Sequence, residues 1–138
     1  MSEVSVEQKM AYVLLRVAMG VDFLGHGFIR LLHGSGVFAQ WMLQQMSGTP
    51  LPAGFVYGFG LILPPIEALV GLLLLAGLLT RQVVIAGSLV MLALMFGTAL
   101  RQDWSTVALQ LFYSFLFAVL LFLRERYDAS WPSLMRRG

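Results

Sequence analysis

Six ionisable side chains stand in or at the edge of apolar stretches of this sequence: Arg16, Asp22, His26, Arg30, His33 and Glu67. A carboxylate four residues before an imidazole suits proton exchange. Asp22 can fix the tautomer of His26, and an imidazole changes charge near neutral pH, so His26 can give or take a proton there. Glu67 can receive a proton or pair with Arg16. The guanidinium groups of Arg16 and Arg30 can make charge-assisted hydrogen bonds to an acceptor. Asp22, His26 and Glu67 are therefore the candidate proton-exchanging residues. Arg16, Arg30, His26 and Glu67 are the candidate ligand contacts.

Spacing supports grouping most of them. At 3.6 residues per helical turn, Asp22, His26, Arg30 and His33 fall within about 80° of one another. Asp22 to His26 and His26 to Arg30 are both i,i+4 neighbours. Arg16 lies further round, about 120° from Asp22. An ionisable group at mid-span costs about 2.5–3.5 kcal/mol on insertion, so this stripe must face protein, water or a ligand. The functional reading is a polar pocket between the first two spans. The structural reading is that Arg16, Asp22 and Glu67 neutralise one another and lock the bundle. Both stand for Arg16 and Glu67. For Asp22 and His26 the functional reading weighs more, because packing a small bundle does not require a histidine. His33 reads as interfacial.

Other chemistries are thinly supported. Cysteine is absent, which removes disulfides, thiolate nucleophiles, iron–sulfur ligation and cysteine zinc sites. Asp22, His26 and Glu67 make a poor metal set, and a haem would find only His26. No metal and no intrinsic cofactor is expected.

The elements that hold these residues follow from hydropathy. Of the 138 residues 59% are hydrophobic and 12% charged, against about 45–50% and about 25% in soluble domains. A small soluble domain buries too little of its surface to hide this much apolar area. The bilayer must be the solvent, and the pI near 9.4 reflects charge at helix ends rather than nucleic-acid binding. Four apolar segments, about 10–32, 55–79, 83–100 and 107–123, approach the roughly 20 residues that cross a bilayer. The expected fold is all-α: an integral membrane four-helix bundle over 1–138 as a single domain. Thr80 to Gln82 and Arg101 to Ser105 read as tight turns. Pro64-Pro65 should kink or break the second span. In the long first connection, Val37 to Met46 sets apolar residues against Gln40, Gln44 and Gln45, a short helix lying at the membrane surface. Gly20, Gly25, Gly27, Gly71 and Gly77 are expected to let helices approach closely. Spans three and four, with Ser88, Thr98, Gln110, Tyr113 and Ser114 but no interior charge, read as scaffold or docking surface.

Lysine and arginine counts set an orientation. Lys9, Arg81, Arg124, Arg126, Arg136 and Arg137 fall on one side, and Arg30 and Arg101 on the other. The excess marks the cytoplasmic side, so both termini should be cytoplasmic and the first connection outside. Tyr127 and Trp131 read as interfacial anchors. The polar first nine residues argue against a cleavable signal peptide.

The motifs in the first two spans resemble those of the DoxX family, which includes the DoxD-type subunits of thiosulfate:quinone oxidoreductase. They are Arg16 with Gly20, His26-Gly27 with Arg30, Glu67 with Gly71, and Gly77 with Thr80-Arg81. The resemblance covers roughly Arg16 to Arg81. Arg30 stands where the family commonly has Lys, and Asp22 has no clear family counterpart. The resemblance implies a four-helix protein of a bacterial or archaeal cytoplasmic membrane, tied to redox chemistry. It implies interaction with quinone or a partner oxidoreductase, through Arg16, His26, Arg30 and Glu67. A non-catalytic accessory subunit packed against a larger membrane complex, or a homo-oligomer, is the alternative. A small transporter or channel is less well supported.

Overall fold

A computed structural model describes residues 4–128. Trp131, Arg136 and Arg137 lie outside the described residues. The order is α1 (Val6–His33), α2 (Ser35–Gln45), α3 (Ala53–Ala76), α4 (Thr80–Leu100) and α5 (Trp104–Tyr127). Four of these, all but α2, are long and apolar enough to cross a membrane, and α2 is the short helix of the first connection.

Local chemistry moves the boundaries outward from the apolar stretches. Ser5 caps α1, accepting from the Gln8 N–H at 3.2 Å while the Gln8 side chain accepts from the Ser5 N–H. This capping box satisfies backbone donors that would otherwise be orphaned, and it starts the helix among polar residues. Asp103 does the same for α5, accepting from the Thr106 N–H at 3.2 Å. Between α3 and α4 the turn falls earlier than the polar triplet suggested. Gly77 adopts a left-handed conformation, φ +68°, and ends α3. Thr80, Arg81 and Gln82 therefore open α4 instead of forming the turn. Pro64 and Pro65 do not break α3, which runs uninterrupted through them. Each proline removes one backbone hydrogen bond, a loss that spanning helices tolerate where their surroundings satisfy the freed carbonyl.

The spans form a ring in the order α1, α3, α4, α5, with α1 diagonal to α4. The most extensive contact is α1 against α3, made by glycine. A Cβ at Gly20 would lie 3.0 Å from the Gly71 carbonyl oxygen. One at Gly27 would run into the Ala68 backbone, and one at Gly71 into the Leu24 backbone. Small residues at such a seam let two backbones touch, the main source of helix affinity where lipid removes the hydrophobic drive. Gly25 points the other way, into open space. Inside the ring, Phe23 meets Phe117 edge-on at 5.2 Å, among Val70, Leu74, Val84 and Met91. α2 packs on α3 over a second core of Met42, Val56 and Leu63. The outer face of α5, with Phe115 and Phe122, is exposed to the bilayer.

Candidate functional site

The polar residues of α1 open onto a chamber of about 180 Å³ inside the ring. It is lined by Asp22, His26, Arg30, Glu67, Gln110 and Tyr113, with Met91 and Leu94 of α4 as apolar wall. The chamber is not between the first two spans, as expected. The glycine seam leaves no space there. Glu67 reaches past the seam from α3, and α4 and α5 complete the cavity.

Two ion pairs divide the charges. Arg30 Nη1 donates to Glu67 Oε2, joining α1 to α3. Of the two roles offered for Glu67, receiving a proton or pairing with Arg16, the pairing does not form: Arg16 lies fourteen residues before Arg30, about 21 Å along the helix. Arg16 instead meets Asp128, at 2.5 Å, just beyond the end of α5. Its side chain is fully buried and its guanidinium lies against Gly77. Nearby, the Tyr12 hydroxyl donates to the Leu120 carbonyl at 3.0 Å. Arg16 therefore belongs to a lock at the opposite end of the bundle, and the chamber holds Asp22, His26, Arg30 and Glu67 without it.

His26 is held by its own helix. Its Nδ1 lies 2.9 Å from the Asp22 main-chain carbonyl and 3.6 Å from the Asp22 carboxylate. A carbonyl only accepts, so Nδ1 carries the proton and Nε2 is left for exchange. Asp22 thus sets the tautomer through its backbone more than through its carboxylate. Oδ1 of that carboxylate accepts from the Tyr113 hydroxyl of α5 at 3.1 Å. Gln110 donates to Thr98 Oγ1 at 3.1 Å, and Thr98 donates to the Leu94 carbonyl at 2.7 Å. His33 makes the same backbone contact as His26, with Ile29 at 2.8 Å, but at the exposed end of α1.

Gln110 and Tyr113 are site residues that the sequence did not single out. The available signal was their spacing: two polar side chains three apart in an apolar span share a face, and that face must turn inward. The motif glycines also sort by role. Gly20, Gly27 and Gly71 are the seam, and Gly77 both ends α3 and makes room for Arg16. Among the described residues no three His, Asp or Glu side chains converge as a metal site would require.

A ring of four apolar helices with a small, partly open chamber bearing polar side chains defines an integral membrane protein. The DoxX family model matches residues 11–100, about two thirds of the chain, and the protein belongs to the DoxX family. The match spans α1 to α4, so the α5 contributions, Gln110 and Tyr113, lie beyond it. No curated protein and no solved structure matches the chain significantly.

Proposed function

We propose that this protein is a membrane subunit of a redox system that holds a quinone headgroup in the chamber between α1, α4 and α5. The observation that carries the reading is the convergence of His26, Gln110 and the Tyr113–Asp22 pair on one cavity inside the membrane-spanning ring. A quinone needs an apolar slot, donors for its carbonyl oxygens and a group that exchanges protons with them. Neutral His26 presents an accepting Nε2, suited to a quinol hydroxyl. Protonated His26 presents a donor there, suited to a quinone carbonyl. The Gln110 Nε2 already donates to Thr98, and its buried Oε1 is left as an acceptor for a quinol hydroxyl. Glu67, committed to Arg30, holds that guanidinium at the chamber wall. Electrons would come from a partner oxidoreductase. On this reading the membrane is the cytoplasmic one, both termini are cytoplasmic and the chamber lies nearer the outer side. The cluster of Lys9, Arg81, Arg124 and Arg126 at the opposite end supports that orientation.

The test is titration of decylubiquinone onto the protein in lipid nanodiscs. Loss of one hydrogen bond should weaken binding by about twofold to tenfold in both His26→Ala and Gln110→Leu. Unchanged affinity in both variants overturns the reading.

One observation favours an accessory role as a second reading. The His26 side chain is 54% exposed on a face where Gly25 meets nothing, and an ionisable group facing lipid at that depth is costly. A helix from a larger complex laid on this face would cover it. Gly25→Trp should then release the partner during copurification in mild detergent. A complex that survives the substitution counts against this docking face.

A further inference from the structure

A second cavity, of about 350 Å³, lies beneath α2. Trp41 and Met42 of α2, Phe59 of α3, and Leu94 and Gly97 of α4 form its walls, and Arg101 stands at its edge. It adjoins the quinone chamber, and Arg30, Leu94, Thr106 and Gln110 line both. The Arg30 guanidinium, paired with Glu67, lies 4.4 Å over the Phe38 ring, and Gln110 is tied to Thr98.

The two arginines on this cavity differ in what they face. Arg30 has a carboxylate partner. Arg101 donates from Nη2 to the neutral Gln45 side chain at 2.8 Å, and among the described residues no carboxylate lies within ion-pair distance of it. The nearest acid in sequence, Asp103, feels the Arg101 charge from beyond ion-pair distance, and its carboxylate is engaged by Ser105 and Thr106 at the start of α5. A guanidinium has five donors, so the Gln45 bond leaves others for a ligand. Arg101 follows the last residue of α4, at headgroup depth, while Leu94 lies about 10 Å deeper. The rim carries Trp41, Phe55 and Phe96, each about half exposed or more, so the cavity is open to the bilayer.

A charge at the interface above an apolar, membrane-open hollow is the complement of an anionic amphiphile. We infer that the cavity under α2 binds an anionic phospholipid of the surrounding bilayer, its headgroup on Arg101 and one acyl chain along Trp41, Met42 and Leu94. The inference does not rest on the quinone reading and survives its failure.

Trp41 reports on the site directly. The full chain carrying Trp104→Phe and Trp131→Phe keeps it as the only tryptophan. It would be reconstituted with brominated phosphatidylglycerol, or with brominated phosphatidylcholine, at equal mole fraction. One arginine at the interface should give about a fivefold preference for the anionic lipid in quenching Trp41. Arg101→Gln should abolish the preference, and Arg101→Lys, which keeps the charge, should retain most of it. Equal quenching by the two lipids, or a preference that survives Arg101→Gln, overturns the inference.

Discussion

Arg30 of α1 and Glu67 of α3, 37 residues apart in sequence, form the ion pair that fixes the floor of the polar chamber. Glu67 is nearly fully buried, with its side chain 5% exposed, and Arg30 is 26% exposed. Removing one partner from such a pair leaves an uncompensated charge and costs about 3–5 kcal/mol. Glu67→Leu or Arg30→Leu alone should therefore lower the thermal midpoint in detergent sharply. The double variant should recover most of the loss, because an apolar pair of similar volume has no charge to desolvate. Single variants as stable as the parent would show that the pair is not holding α1 to α3.

This pair also shows what the sequence can and cannot express. The four spans were legible because each is a continuous apolar run, and the stripe of Asp22, His26 and Arg30 because helical spacing is local. Partner choice is not local. The sequence offered Arg16 as a partner for Glu67, and only the register of α1 against α3 assigns Arg30 instead. The partner of Arg16 was hidden further still, in Asp128, 112 residues away and beyond the last apolar run. The chamber itself was misplaced for a related reason. The glycines were expected to let helices approach closely, and at Gly20, Gly27 and Gly71 the approach is close enough to leave no space between α1 and α3.

The glycine seam can be tested by contrast. A Cβ at Gly27 or Gly71 would meet backbone atoms of the facing helix, which cannot rotate away. Gly27→Ala and Gly71→Ala should push α1 from α3 and lose about 1–3 kcal/mol, the usual cost of overpacking. Gly25→Ala, on the same helix but facing open space, should stay within about 0.5 kcal/mol of the parent. The measurement is the thermal midpoint of the three variants. Equal effects at all three positions would rule out a specific seam.

Gly77 carries two demands at once. Its φ of +68° is one that a residue with a side chain adopts only with strain, and a Cβ there would lie 2.8 Å from the Arg16 guanidinium. The backbone cost alone is about 1–2 kcal/mol for an L-residue. Gly77→Ala should exceed it by displacing Arg16 from Asp128. Arg16→Leu also removes that ion pair, so the two substitutions should be less than additive in a double-mutant cycle. Strict additivity would mean that Gly77 and Arg16 act independently.

Asp103 governs where α5 begins, and with it the register of Gln110 and Tyr113, seven and ten residues further on. The Thr106 hydroxyl bonds its carboxylate at 2.7 Å, and the Ser105 hydroxyl and the Thr106 N–H add bonds of 2.8 and 3.2 Å. These bonds, the Thr106 hydroxyl foremost, hold the Asp103 carboxyl below the ordinary carboxylate range. A carboxyl whose folded pKa is depressed stabilises the fold above its unfolded pKa, about 3.9, and loses that contribution as pH falls through the folded value. Asparagine also caps helices well but cannot ionise. The parent should therefore be more stable than Asp103→Asn at neutral pH, and the gap should close as pH falls below about 4. Thermal midpoints of both proteins across that range give the answer. A gap that stays constant would show that the cap works without its charge. A gap that closes would tie the start of α5, and through it the α5 side of the chamber, to one ionised carboxylate at the membrane surface.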